Sequence, residues 1–323
     1  MVGASWVLVH EYVTGGGWPS AELPPGLAAE GEAMLAAVLA DFRAWGGVRT
    51  LTLRDRRLAP RDLGADEVLE VRAGAHDATL DAALARCQAA LFVAPETGGI
   101  LQHLSARGLA AGVLLLGAHP GAIALAGDKW ACYRQWQAAG VPTPLTRLAR
   151  PEEAVGVAAE VGYPLVLKPT DGADCEGVCL ATTPAELAPA LEVTCRAAPH
   201  QPILLQPYLP GNHASASLLI AGDRVVPLSL NGQDIRAGRP FGYYGGCVPL
   251  AHRGRDQALA VAQAAAAAIP GLQGFAGVDL VLHGDRAWAV EINPRLTTAY
   301  VGLRRVVPLN LAQAIWQACI DGI

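Results

Sequence analysis

Apolar positions along the chain follow two regimes, with a change near residue 140. Before it, short apolar runs alternate with stretches of helical spacing. Trp6 to His10 reads as a buried strand that opens into a glycine-rich loop, Thr14-Gly15-Gly16-Gly17. Leu27, Met34, Leu35, Val38, Leu39 and Phe42 recur at the spacing of one helix face, which predicts an amphipathic helix over 27–45. Arg49 to Leu53 and Val68 to Val71 are the next strands, and a helix covers Ala78 to Cys87. Ala90 to Ala94 is a strand running into Pro95-Glu96-Thr97-Gly98-Gly99. Leu114 to Gly117 is the last strand of the series, and Ala118 to Gly127 reads as the passage out. Strands alternating with helices predict a parallel sheet with right-handed crossovers and ligands at the carboxyl ends of its strands. Both glycine-rich loops then lie on one rim.

A helix from Asp128 to Ala139 follows, with Asp128 as N-cap and Gly140 as stop. Beyond Val141-Pro142-Thr143-Pro144, strand candidates dominate: Leu165 to Lys168, Val178 to Ala181, Ile203 to Gln206, Ser215 to Ile220 and Arg224 to Leu230. Turn residues separate them, which predicts an antiparallel α+β region. A helix spans Arg255 to Ala268, a hairpin joins Val278–Leu282 to Arg286–Ile292 across His283-Gly284-Asp285, and a final helix covers Leu309 to Ile320. The fold class is thus α/β, a parallel domain followed by an α+β region.

Composition narrows the partners. The 323 residues are 52% hydrophobic with a net charge of −5, so the chain buries a full core and offers polyphosphate no global attraction. A nucleic-acid partner is not expected. The apolar stretches are short, Ala-rich or interrupted, below the roughly 20 residues that span a bilayer, and Glu11 arrives too early for a signal peptide. No membrane partner is expected. Seven scattered cysteines without a Cys-x-x-Cys pair fit reduced thiols and a cytoplasmic setting. The sequence leaves a homo-oligomer open.

Two features carry chemistry. Of 24 Lys and Arg residues only Lys129 and Lys168 are lysine. A compact ammonium and a planar guanidinium are not equivalent against a phosphate oxygen, so this retention points to phosphate contact, with chance survival of two surface lysines as the alternative. In the hairpin, Asp279 lies close to opposite Glu291, and Glu291 and Asn293 share a face because strand side chains alternate. Three oxygen ligands then converge, as a hard divalent cation bridging phosphates requires. An ordinary hairpin with a cross-strand acid pair is the alternative, although facing like charges are destabilising without a cation between them.

Asp128-Lys129, Pro164 to Pro169 with Thr170 to Gly177, Leu205 to Gly211, and Asp279 with Glu291-Ile292-Asn293-Pro294-Arg295 occur in the order and spacing of the ATP-grasp superfamily of carboxylate–amine ligases, which the chain resembles from about residue 118 to its end. The resemblance implies an ATP- and Mg²⁺-dependent ligase. It divides the chain into a pre-ATP-grasp domain (1–118), a central subdomain (119–190) and a C-terminal subdomain (191–323). It implies that Lys129 and Lys168 reach the phosphates and the adenine edge, that Gly172 to Gly177 covers the phosphates, and that Gln206 to Leu209, with Tyr208, is the hinge that reads adenine. Asp279, Glu291 and Asn293 match its magnesium ligands. Two positions depart from it: His213 stands where the family usually has Glu at the ribose, and Gly277 where many members have Arg. Arg295 is the expected replacement cation, catalytic together with Lys168.

A narrower resemblance is to the ATP-grasp branch that contains tyramine–glutamate ligase, associated with methanofuran and tetrahydromethanopterin, one-carbon carrier coenzymes. It rests on His10 to Gly17, Ala94 to Gly98, Asn231-Gly232-Gln233 with Tyr244-Gly245-Gly246, and Arg295 to Tyr300. It implies small-molecule carboxylate and amine substrates. Glu11, Gly15, Gly16, Gly17, Glu96, Asn231 and Gln233 are the candidates to touch them, and Glu11 and Glu96 the candidates for the base that frees the amine. For Gly15–Gly17 and Asn231–Gln233 a plain structural turn is the alternative. A nucleotide-binding protein that has lost ligation and a small-molecule kinase are the competing functions.

Overall fold

The computed structural model describes residues 5–172 and 175–321. The chain begins with β1 (Trp6–Glu11), α1 (Pro25–Trp45), β2 (Arg49–Asp55), β3 (Glu67–Val71), α2 (His76–Leu84), β4 (Ala89–Val93), α3 (Ile100–Ala110) and β5 (Leu114–Leu115). Its strands form one parallel sheet in the order β3-β2-β1-β4-β5. Next come α4 (Pro120–Gly127), α5 (Lys129–Ala138), β6 (Arg147–Ala149), α6 (Ala154–Val161), β7 (Leu165–Pro169), β8 (Cys179–Ala181), α7 (Leu187–Ala197) and β9 (Ile203–Pro207). Here the sheet is antiparallel, in the order β6-β9-β7-β8. The chain closes with β10 (Asn212–Ala221), β11 (Arg224–Arg236), β12 (Gly242–Cys247), α8 (Arg255–Ala267), β13 (Gly274–His283), β14 (Arg286–Asn293), α9 (Ala299–Leu303) and α10 (Leu311–Trp316). A second antiparallel sheet results, β12-β11-β10-β13-β14.

The expected α/β architecture is the one observed, and the core explains how its parts are joined. Leu35, Val38, Leu39 and Phe42 of α1 pack on one face of the parallel sheet together with Tyr300, Leu311 and Ile315 from the C-terminal end. The other face carries Leu8, Leu51 and Phe92 into a core that continues through α4 and α5 to Ala216, Leu218, Val278 and Leu280 of the last sheet. The first and last sheets therefore share their apolar interior. The four-stranded sheet has its own, built from Leu165, Leu167, Ile203 and Leu205 under Ala154, Ala158, Leu187 and Ala190. The boundary expected at 190/191 falls inside α7, and β9 beyond it pairs with β6 and β7.

Several elements differ from expectation for local reasons. The passage over 118–127 contains helix α4; Pro120 at its first position is preset for a helix, and the His119 side chain accepts from the Gly121 amide. β11 runs on to Arg236, so Asn231-Gly232-Gln233 lies within a strand and not in a turn. β12 was hidden because Gly242, Gly245 and Gly246 weaken its pattern; the lengthened β11 supplies the pairing. The last helix is short, ending at Trp316, and gives way to a wider turn over Gln317–Asp321. Asp128 caps α5 as expected, accepting from the Trp130 and Ala131 amides at 3.0 Å. Among the described residues no helix is long and apolar enough to cross a membrane.

Candidate active site

The three sheets meet around a cleft of about 990 Å³. That is the upper end of the range for ligand sites, roughly 300–1,000 Å³, and leaves room for more than one substrate. One end lies between the two antiparallel sheets, the other at the carboxyl ends of β1 and β4. There the connections leave β1 in opposite directions across the parallel sheet, which opens a crevice.

At the first end, β7 and β9 bring Lys168 and Gln206 to the cleft. Lys168 is buried, and burial first, then the Lys129 charge, pushes its pKa down to about 8 against the pull of Glu291. The Lys129 Nζ is 3.0 Å from Glu291 Oε1 and donates to the Gly172 carbonyl at 2.6 Å. Gln206 is held by its side chain, which donates to Thr146 Oγ1 at 2.6 Å. The Tyr208 amide is taken by the Pro164 carbonyl at 2.9 Å, whereas among the described residues no acceptor takes the Leu209 amide. His213 lines the same end against Phe241, and burial lowers its pKa. Gly172 and Gly177 flank the expected phosphate cover; Ala173 and Asp174 between them lie outside the described residues.

The wall between the ends is the β13–β14 hairpin. Its tight turn at Gly284-Asp285 would set Asp279 opposite Val290, but a β-bulge after Asp279 lets Val290 drop out of register. Asp279 therefore faces Glu291, with Asn293 two pairs further on opposite Gly277. Bulges beside sites re-aim side chains in this way. Asp279 accepts from Gln233 Nε2 at 3.0 Å and from Asn293 Nδ2 at 3.2 Å. Burial and the facing Glu291 nonetheless push its pKa up to about 7. A half-buried carboxylate so poorly compensated fits a cation site. Among the described residues no three His, Cys, Asp or Glu side chains gather, so the donor set is two carboxylates and an amide. That set suits Mg²⁺, which keeps several waters and binds through one or two carboxylates and substrate phosphates.

At the far end Glu11 closes β1. Its carboxylate accepts from the Val13 amide at 3.1 Å, the Thr14 amide at 2.7 Å and Thr14 Oγ1 at 2.6 Å, and burial raises its pKa. Glu96, after β4, is instead paired with the Arg295 Nε at 3.0 Å. Arg295 thus reaches across from the hairpin exit to the parallel domain and also donates to the Leu296 carbonyl at 3.2 Å. The room that an arginine at Gly277 would need is taken by Thr297, whose Cγ2 would lie 2.8 Å from a Cβ there.

The candidate substrate residues divide. Glu11, Asn231 and Gln233 line the cleft, with Asn231 donating to Ser217 Oγ at 2.9 Å, whereas Glu96 lies behind its wall, paired with the lining Arg295. Gly15, Gly16 and Gly17 face inward: side chains there would strike His10, Val71 and Tyr12. The sequence reading missed Gly31, on α1, where a Cβ would sit 2.5 Å from the Glu11 carboxyl carbon. A glycine inside a helix, costing about 1 kcal/mol relative to alanine, was the available signal of close approach.

Comparison with known proteins agrees with this geometry. Residues 126–299 match the ATP-grasp domain model and residues 48–123 the pre-ATP-grasp domain model. A tyramine–L-glutamate ligase of Methanocaldococcus fervens is 28% identical over 304 residues, 92% of this chain and 89% of that protein. Its counterpart in Methanocaldococcus jannaschii is 39% identical over 101 residues, 31% of this chain and 32% of that protein. Among solved structures, an ATP-grasp superfamily protein of Archaeoglobus fulgidus superposes with a TM-score of 0.73 at 23% identity, covering 97% of this chain and 88% of that one. A biotin carboxylase–nucleotide complex of Campylobacter jejuni gives 0.75 at 19% identity, covering 98% and 71%. The match spans more than half of the chain, and the two lysines, the hinge and the acid-lined hairpin lie on one cleft as that family's order of motifs implies: the chain belongs to the ATP-grasp family.

Proposed function

We propose that the protein is an ATP-dependent ligase that joins a small-molecule carboxylate to an amine through an acyl phosphate. The observation that carries this reading is the meeting of Lys129, Lys168, the Asp279–Glu291 pair and Arg295 on one cleft. It is an enzyme that forms a C–N bond. The carboxylate of the first substrate attacks the γ-phosphorus of ATP, ADP leaves, and the amine displaces phosphate from the acyl group. Such phosphoryl transfer needs charge neutralisation more than covalent help. Lys168 and Lys129 meet the phosphates, and Arg295 meets the oxygens that gain charge. Asp279, Glu291 and Asn293 would hold Mg²⁺, which would supply further charge neutralisation. Gln206 to Leu209 hold adenine, His213 the ribose, and the 172–177 loop covers the phosphates.

The substrates are read from the relatives, whose names give tyramine and L-glutamate. A cytoplasmic step in building a methanofuran- or tetrahydromethanopterin-type coenzyme follows from that kinship. The test is ADP release with ATP, Mg²⁺ and L-glutamate, tyramine or both, with the product identified by mass. The reading predicts an amide formed in step with ADP. ADP release that yields a stable phosphorylated product, or that ignores both substrates, would overturn it.

A further inference from the structure

Two carboxylates follow adjacent strands of the parallel sheet, Glu11 at the end of β1 and Glu96 three residues beyond β4; Glu11 lines the cleft, and the two stand in different electrostatic states. Glu96 is neutralised by the Arg295 guanidinium at 3.0 Å. Glu11 receives its hydrogen bonds from neutral groups, two amides and one hydroxyl, and is only 3% exposed. From the elements packed around it, α1 offers Gly31, with Glu30 next to it on the cleft lining, and the 13–17 turn offers Val13 and Thr14, none of them a cation. The charge that acts on it is Arg295, the weakest of the influences on its proton. A desolvated carboxylate whose hydrogen bonds come from neutral donors is only weakly compensated, and burial raises its proton affinity accordingly. The cleft lining also includes the apolar Trp18, Leu27, Met34 and Val248, and Glu30 of α1, an anion that would repel a second carboxylate.

We propose that Glu11, and not Glu96, is the residue that binds the ammonium of the amine substrate and takes its proton, with Trp18, Leu27 and Met34 holding an apolar, carboxylate-free body. This inference rests on the ligase reading with an amine of the tyramine class and adds to it the residue that binds and deprotonates that amine. The protons balance. R–NH₃⁺ gives one proton to the Glu11 carboxylate, and the freed lone pair forms the C–N bond at the acyl carbon. The C–O bond to phosphate breaks, and phosphate leaves with its electron pair and takes the second proton from nitrogen as HPO₄²⁻. Glu11 then returns its proton to water. Glu96 keeps Arg295 in place and takes no proton.

Glu11→Gln preserves the shape and can still accept from Thr14, so it is the direct test. Tyramine binding to the ADP-loaded protein, followed by calorimetry, should weaken at least 10-fold, whether or not the protein turns over. With ATP and L-glutamate, tyramine amide formation should fall by about 100-fold or more, the usual scale for a lost general base. Hydroxamate formation with hydroxylamine, which is already unprotonated at neutral pH, should stay within a few-fold of wild type. Thr14→Val leaves the carboxylate but removes one donor that favours its ionised form. The acid limb of amide formation should then move to higher pH with hydroxamate formation unchanged. Unchanged tyramine binding in Glu11→Gln, equal loss of amide and hydroxamate, or an unmoved acid limb in Thr14→Val would each overturn the assignment. Failure of the ligase reading looks different: wild-type protein would bind tyramine but release no ADP with glutamate.

Discussion

The two ends of the cleft hold charge in opposite ways. Between the antiparallel sheets charges of both signs cluster: Lys129 lies against Glu291, Glu291 faces Asp279, and Lys168 feels both Glu291 and Lys129. At the parallel-sheet crevice Arg295 and Glu96 pair, while Glu11 is held by neutral donors. The first arrangement is balanced for a polyanion with its cation, which can enter and exchange partners with little net desolvation of the protein. The second leaves a carboxylate that gains from a cationic guest. The shared core of the first and last sheets fixes the two ends relative to each other. The four-stranded sheet, with a core of its own, brings Lys168 and Gln206 to the other end of the cleft.

Removing a ligand from the hairpin should break this contrast most severely. Asp279→Ala or Glu291→Ala should cut ADP release on the order of 10³-fold, the upper range for a group facing developing charge, with an unchanged circular dichroism spectrum. Activity within a few-fold of wild type would sink the cation site. Arg295→Ala comes next, with kcat lower by about 100-fold and the KM for ATP little changed, because its contact strengthens in the transition state. A rise in that KM with constant kcat would make Arg295 a plain domain tie to Glu96.

Lys168→Arg keeps the charge and changes its shape; ATP affinity measured by calorimetry should weaken by roughly 1–3 kcal/mol, the scale of a charged hydrogen bond. The smallest effect lies outside the cleft. His10 is buried, 3.1 Å from His76 through their Nε2 atoms, and burial pushes its pKa down to about 3 from an ordinary 6.5. The unfolded chain therefore binds a proton that the fold refuses, so stability from this residue is complete above pH 6.5 and is lost as pH falls toward 3. Melting temperature should drop by a few degrees over that window, and His10→Gln should flatten the drop. Equal slopes for the two proteins would remove His10 from the account.

Motifs at strand ends were legible because period-two alternation and tight turns fix which residues share a face. Asp279, Glu291 and Asn293 could be grouped that way, and Lys129 stands out as one of only two lysines in the chain. The bulge at Val290, which completes the Asp279–Glu291 pairing, leaves no mark in the apolar pattern. Arg295 was picked out as a cation, but its partner Glu96 is 199 residues away, and only tertiary structure brings them together. Gly15–Gly17 looked like a ligand loop because a glycine gives no indication of whether ligand or protein fills the space it leaves; here His10, Val71 and Tyr12 fill it. The strand at 231–236 was cut short by reading Asn-Gly as a turn, a local signal overridden by pairing with β10 and β12.

The account rests on one cleft with nucleotide at its basic end and amine at the crevice of the parallel sheet. A crystal structure with ADP, Mg²⁺ and tyramine tests this directly. Adenine should lie along Gln206 to Leu209, and the ammonium within hydrogen-bond distance of the Glu11 carboxylate, its ring against Trp18, Leu27 and Met34. An ammonium seated on Glu96 with Arg295 displaced, or an amine bound outside the crevice, would contradict it.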